Sequence, residues 1–167
     1  RLIGAERVFE FGSGFGYSAA WFAGALPETG EIVLTDYDEE NLERARAFLR
    51  EAGYDDLASY HAGDALETFD TTTGSFDVVL IDHEKTRYSE AFQAASDRLA
   101  DGGVVVADNT MSGPVTPDGI GSALAGDEPV DDRTAGIANY VETVRDSPAF
   151  ETVLVPLGEG IAVSVRR

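Results

Sequence analysis

A single lysine, Lys85, stands in this chain among eleven arginines. Arginine keeps its proton under ordinary conditions, whereas a buried or cation-flanked lysine can be lowered to about pH 7–8 and serve as a base. Arginine is used everywhere else, so a lysine kept at one position points to proton transfer there. The plain alternative is a surface lysine ahead of a helix, although a cation is electrostatically disfavoured at that end. Asp82 precedes it in Ile81-Asp82-His83-Glu84-Lys85, and a second polar pair, Asp108-Asn109, follows a separate apolar run.

Binding chemistry is written nearer the start, in Glu10-Phe11-Gly12-Ser13-Gly14-Phe15-Gly16-Tyr17-Ser18. Glycines at 12, 14 and 16 let the backbone turn sharply and approach a ligand where a Cβ would collide. The helix start that follows offers free N–H groups suited to an anion such as a carboxylate. The dinucleotide fingerprint G-x-G-x-x-G would put glycine at 17, where this chain has Tyr17. Asp36 ends the next apolar run, where a carboxylate can accept from both hydroxyls of a ribose. The alternative for Asp36 is a solvated strand-end acid. With a nucleoside bound, Tyr37 would lie against the adenine face.

Short apolar runs alternate with helix-period segments, the βαβ signature of a parallel sheet covered on both faces. Strands are expected at Arg7–Phe11, Glu31–Asp36, Leu57–His61, Phe76–Asp82 and Val104–Ala107, with Thr152–Val155 and Gly160–Val165 as a closing antiparallel pair. Helices are expected at Tyr17–Leu26, between an Asp38 cap and Gly53, along the stripe Tyr88, Phe92, Ala95 and Leu99 up to Gly102-Gly103, and around Ile137, Val141 and Val144. Thr110–Asp132, rich in Gly, Pro, Asp and Ser, reads as a long functional or mobile loop. In an open sheet of this kind, ligands bind outside the carboxyl ends of the strands. Asp36, Asp82, Asp108 and Asn109 all fall there.

Three glycines in G-x-G-x-G spacing after the strand-borne Glu10 resemble the first motif of class I S-adenosylmethionine-dependent methyltransferases. The D-x-x-K of Asp82 and Lys85 and the D-N of Asp108-Asn109 resemble the catalytic elements of the cation-dependent catechol and caffeoyl-CoA O-methyltransferases. Gly16-Tyr17-Ser18 and Pro156-Leu157-Gly158-Glu159-Gly160 match the same family, so the likeness covers nearly the whole chain. It implies a Rossmann-like α/β domain with a seven-stranded, mostly parallel sheet in the order 3-2-1-4-5-7-6. It also implies an S-adenosylmethionine site at Glu10, Gly12, Ser13, Gly14, Gly16, Tyr17, Ser18, Asp36, Tyr37, Asp64, Ala65, Asp82 and His83. Gly63-Asp64-Ala65 would be the adenine turn, with Asp64 accepting from the exocyclic amine; by itself the tripeptide reads only as a helix cap. His83 either packs beside the adenine, as the family pattern implies, or belongs simply to the strand-end turn; His61 is read as structural.

The same resemblance makes Asp82, Asp108 and Asn109 ligands of Mg²⁺ or another divalent cation, which favours hard oxygens with room for water and substrate. Such an ion would chelate two neighbouring hydroxyls, lower their pKa and aim one oxygen at the sulfonium methyl. Lys85 would be the general base, with Asp82 as the second catalytic residue. Three departures are visible, the first being that the long Thr110–Asp132 loop has no clear counterpart for substrate contacts. Thr110-Met111-Ser112 follows Asn109 where the family carries an aromatic, and the helices that members carry ahead of the first strand are expected to be absent.

At 167 residues the chain is expected to form one domain. No apolar run approaches the ~20 residues that span a bilayer, and Arg1-Leu2-Ile3-Gly4 opens without a signal-peptide pattern. The absence of cysteine excludes disulfides and thiolate metal sites and fits a cytoplasmic setting. Thirty-one acids give a net charge of −19 and are spread along the whole chain. One reading is an acidic protein that repels nucleic acid and anionic membranes; the favoured one is a halophilic protein adapted to a salt-rich cytoplasm, where the Debye length falls to ~3 Å and net charge says little about partners. The expected partner is a small hydroxylated molecule. A homodimer is compatible with the resemblance, although no interface is legible. The leading expectation is methyl transfer from S-adenosylmethionine to a metal-chelated hydroxyl of a catechol-like acceptor. Rivals are a tRNA hydroxyuridine or acyl-CoA ester acceptor, a non-catalytic S-adenosylmethionine-binding module, and a nicotinamide-dependent dehydrogenase.

Overall fold

The computed structural model describes every residue from Arg1 to Arg167. Five apolar runs become parallel strands of one sheet: β1 (Arg7–Phe11), β2 (Glu31–Asp36), β3 (Ala58–Ala62), β4 (Phe76–Ile81) and β5 (Leu99–Ala107). The antiparallel strands β6 (Phe150–Val155) and β7 (Ile161–Arg166) complete it, giving the expected order β3-β2-β1-β4-β5-β7-β6. β1 and β4 lie centrally and are covered on both faces, which is why they are almost wholly apolar.

Successive side chains of a strand point to opposite faces, so β1 feeds two cores. Phe9 and Phe11 enter the larger one with Phe69, Phe76 and Phe92, while Val8 joins Ile32, Leu34, Leu42 and Leu49 in the smaller. The Phe9 ring centroid lies 4.7 Å from Phe11, 4.8 Å from Phe69 and 5.4 Å from Phe76. Burying each such ring stabilises the fold by roughly 1.5–3 kcal/mol. By the same alternation, Glu10 falls on the side of the smaller core.

Six helices flank the sheet: α1 (Tyr17–Ala23), α2 (Glu39–Ala52), α3 (Ala65–Thr71), α4 (Tyr88–Arg98), α5 (Pro117–Leu124) and α6 (Asp132–Arg145). α2 begins and ends where its residue types dictate. The Asp38 carboxylate accepts from the Glu40 N–H at 2.9 Å, and Gly53 closes the helix in the left-handed conformation. Tyr88, Phe92 and Ala95 of α4 face the larger core.

Three expectations are corrected, and α3 is a helix that none of them placed. Leu99 opens β5 instead of closing α4, and Gly102-Gly103 lie inside that strand, where the pairing with β4 shifts register. Glycine near the end of a helical stripe reads as a terminator, but here the missing Cβ of Gly103 lets the chain pass close to the Ala100 carbonyl and Leu99. The segment expected as a loop contains α5, capped by Thr116 with Pro117 in its first turn; Gly119 and Gly121 weaken its local signal. α3 follows an Asp64 cap and buries Ala65, Leu66 and Phe69. α1 stops at Ala23, before Gly24, short of Leu26. No helix is long and apolar enough to cross a membrane.

Candidate active site

A cavity of about 900 Å³ opens at the carboxyl ends of β1, β2, β4 and β5. Its first wall is the glycine loop. Gly12 adopts φ 82°, and a Cβ there would stand 2.6 Å from the Asp82 carbonyl oxygen. The turn after β1 therefore touches the turn after β4, and only glycine permits both the conformation and the approach. The Gly14 N–H donates to Asp36 at 2.9 Å, and the Asp38 N–H donates to the other oxygen of the same carboxylate at 2.8 Å. Asp36 is thereby aimed along the loop. The Asn41 amide also donates to it at 3.3 Å, so of the four lone-pair sites on a carboxylate one is left for a ligand.

Tyr37 forms part of the wall beside Asp36 and stays more than half exposed. Its hydroxyl donates to Asp64 at 3.0 Å and accepts from Arg87 at 3.0 Å, and Arg87 also pairs with Asp64 at 2.7 Å. Asp64 in turn caps α3 through the Leu66 N–H at 2.8 Å. The Arg87 guanidinium above all holds the Asp64 carboxyl down to about 2. His83 lies over the cavity floor, stacked on the Tyr88 ring at 5.6 Å, with Phe11 equally near. Burial pushes its pKa down to about 4, so the imidazole is neutral, and neither ring nitrogen has a partner.

The second wall carries the acids and the lysine. Asn109 is the only non-glycine residue with positive φ, 55°, a conformation asparagine tolerates better than most. That turn brings its side-chain amide back to Asp82, to which Nδ2 donates at 2.9 Å, leaving the amide oxygen unengaged. Its backbone N–H donates to the Asp108 carboxylate at 2.7 Å. The Lys85 ammonium lies 3.8 Å from Asp82 and donates to the Tyr88 hydroxyl at 2.8 Å, which donates to the Asp108 carbonyl at 2.9 Å. Burial lowers the Lys85 pKa, against the pull of Asp82 and Asp108. Burial raises that of Asp82, with Asp108 and Glu159 adding repulsion. Neither Asp82 nor Asp108 pairs with an arginine. No group of three His, Cys, Asp or Glu side chains converges as metal ligands; the donors here are two carboxylates and an amide.

Gly12, Ser13, Gly14, Tyr17, Ser18, Asp36, Tyr37, Ala65, Asp82, His83, Lys85, Asp108 and Asn109 all line this one cavity. Gly16 shapes the loop from behind, as the left-handed cap of α1. Glu10 and Asp64 stand outside the wall. Glu10 is wholly buried, and burial pushes its carboxyl up to about 8, offset in part by the nearby Ser18 hydroxyl; neither oxygen makes a well-formed hydrogen bond. Asp64 is engaged by Arg87, Tyr37 and the α3 cap. His83 belongs to the strand-end turn and also lines the cavity.

Sequence reasoning passed over Glu159, Arg133, Ser112 and Tyr88 as site residues. Glu159 and Tyr88 stood in quoted motifs, the first in the C-terminal turn and the second as a core stripe position. Glu159 reaches the cavity because the Met111 N–H donates to its carbonyl at 2.7 Å and the Thr110 N–H to that of Gly160 at 3.0 Å. No local signal marks Arg133 or Ser112.

The sequence profile of the O-methyltransferase family matches residues 1–167. A caffeoyl-CoA O-methyltransferase of Medicago sativa is 30% identical over 183 residues, spanning 99% of this chain and 69% of its own. A catechol O-methyltransferase of Niastella koreensis is 31% identical over 115 residues, spanning 66% of this chain and 52% of its own. Among solved structures, the O-methyltransferase TomG of Streptomyces achromogenes in complex with SAM superposes with a TM-score of 0.86 at 28% identity, over 99% of this chain and 74% of that one. The chain belongs to the O-methyltransferase family.

Proposed function

We propose that this protein transfers a methyl group from S-adenosylmethionine to a hydroxyl oxygen of a small catechol-like acceptor. The carrying observation is the meeting of Asp82, Lys85, Asp108 and Asn109 in one cavity with the glycine loop. The two relatives by sequence are named for catechol and for caffeoyl-CoA, and both molecules present vicinal ring hydroxyls. TomG carries the proposed cofactor.

The residues fit that cofactor. Gly12 and Gly14 offer bare backbone, Asp36 keeps acceptor capacity for a ribose, and Tyr37 presents an open ring face. When bound, S-adenosylmethionine supplies a methyl group on a sulfonium, and its displacement asks chiefly for alignment, worth ~7–11 kcal/mol. His83, held neutral by burial, adds no charge to this wall.

The residues also fit a divalent cation. Asp82, Asp108 and the free amide oxygen of Asn109 would hold it, and the mutual repulsion of Asp82, Asp108 and Glu159 would be relieved by positive charge. Such an ion supplies Lewis acidity toward a hydroxyl oxygen. Lys85 takes the hydroxyl proton. Its burial makes the neutral amine accessible, and Tyr88 fixes its direction. Asp82 holds the Asn109 amide and steadies the ammonium that forms. The acid-rich surface suits this chemistry to a salt-rich cytoplasm.

Radiolabelled methyl transfer from S-adenosylmethionine to a catechol panel, with Mg²⁺ and with EDTA, tests this reading. Label should enter the catechol and fall at least tenfold with EDTA. Cofactor binding without transfer would overturn the reading in favour of a binding module, and transfer indifferent to EDTA would remove the cation.

A further inference from the structure

Arg133 is the second residue of α6 and lines the same cavity as Lys85, Ser112 and Glu159. Every other arginine in this chain is engaged. Seven form ion pairs, Arg1 and Arg98 donate to carbonyls, and Arg46 lies over the Tyr60 ring. Arg133 has no hydrogen bond, ion pair or ring contact, in a protein with 31 acids to choose from. It also stands in the first turn of a helix already capped by Asp131, where a cation gains nothing from the helix dipole. Exposed and unpaired, it gains nothing from its place in the helix.

Its placement relative to the reacting groups is nonetheless tightly held. A Cβ on Gly136 would stand 2.5 Å from the Lys85 carbonyl oxygen and 2.7 Å from the Thr86 Cα. α6 therefore rests its backbone directly on the turn that carries Lys85. Arg133 lies three residues earlier, one turn away on that face. The guanidinium is free, while its anchor is locked to the proposed base.

We infer that Arg133 selects acceptors carrying a carboxylate on the side of the ring away from the reacting hydroxyls. This rests on the methyl-transfer reading above. A planar guanidinium recognises a carboxylate by paired hydrogen bonds, which lysine cannot reproduce. Glu84 and Glu159 face the same space, so the competing outcome is a cationic acceptor.

The test compares 3,4-dihydroxybenzoate, its methyl ester, dopamine and caffeoyl-CoA as acceptors at one ionic strength, in wild type, Arg133→Gln and Arg133→Lys. Wild type should favour the acid over the ester at least tenfold in kcat/KM, mainly through KM. In Arg133→Gln that ratio should fall at least fivefold, and Arg133→Lys should recover only part of it. Comparing the ratio between proteins cancels the different acidities of the two acceptors. The inference is overturned if the acid-to-ester ratio is unchanged in Arg133→Gln, or if wild type prefers dopamine. It is also overturned if the substitution weakens only caffeoyl-CoA, which would assign Arg133 to phosphate. Calorimetric binding of 3,4-dihydroxybenzoate, with Mg²⁺ and S-adenosylhomocysteine present, separates this from failure of the broader reading. Weaker binding in Arg133→Gln supports the inference even where no acceptor is methylated, and equal binding refutes it.

Discussion

The two walls of the cavity are built by different means. The wall at the ends of β1, β2 and β3 is mostly backbone: a glycine loop, a carboxylate aimed by two N–H groups, and a tyrosine held by Asp64 and Arg87. The wall at the ends of β4 and β5 is side chains brought from separate segments, with Asp82 and Lys85 after β4, Asp108 and Asn109 after β5, Arg133 on α6 and Glu159 before β7. A backbone wall suits a ligand that stays the same across a family. A wall of side chains suits a reaction whose acceptor changes, because each contact can be replaced without disturbing the turn beneath it.

If the walls were independent, damage to one would spare the other, and Gly12 is where they touch. Gly12→Val forces a side chain into left-handed backbone and against the Asp82 carbonyl. Strain and overpacking together cost on the order of 2–5 kcal/mol. Cofactor affinity measured by calorimetry should fall by ~30-fold or more. Turnover at saturating cofactor should fall as well, because the Asp82 turn shifts. Normal turnover at saturation would show that the walls act separately.

Tyr88→Phe probes the second wall alone. It removes the acceptor of the Lys85 ammonium and leaves the Asp108 carbonyl without its donor, a loss of about 1–3 kcal/mol in denaturant unfolding. kcat should fall about tenfold, by misdirection of Lys85, while cofactor affinity holds. Arg87→Gln, the mildest change, probes the first. The folded-state pKa of Asp64 is depressed, so its contribution to stability is present above the ordinary carboxylate range and lost as pH falls through about 2. Without the guanidinium that pKa rises, and acid unfolding followed by circular dichroism should begin at higher pH, with cofactor KM raised a few-fold. Unchanged acid unfolding would remove Arg87 as the cause.

The same contrast explains what could be read from the sequence. Gly12, Gly14, Asp36 and the strand ends were legible because turn chemistry and strand periodicity are local, and β1 and β2 fall on the expected residues. Lys85 was legible through its isolation among arginines. Arg133 and the second role of Tyr88 were not, because one depends on α6 resting on the Lys85 turn and the other on the Asp108 carbonyl beyond β5; Ser112 carried no local signal. α5 itself was hidden by two glycines in eight residues, its stability coming from the buried Ile120 rather than from propensity. Asp64 was legible in part: by itself its tripeptide reads as a helix cap, which α3 has, while its bonds to Arg87 and Tyr37 join residues distant in sequence.

The role of Lys85 as the proton acceptor is tested most directly by the pH dependence of kcat/KM in wild type and Lys85→Arg. Burial lowers the lysine pKa, so wild-type activity should rise with pH through an apparent pKa below the ordinary ~10.4 and then level off. Lys85→Arg should bind the cofactor normally, lose about 10²–10⁴-fold in rate and lose that titration. An arginine variant that keeps both the rate and the inflection would contradict the account.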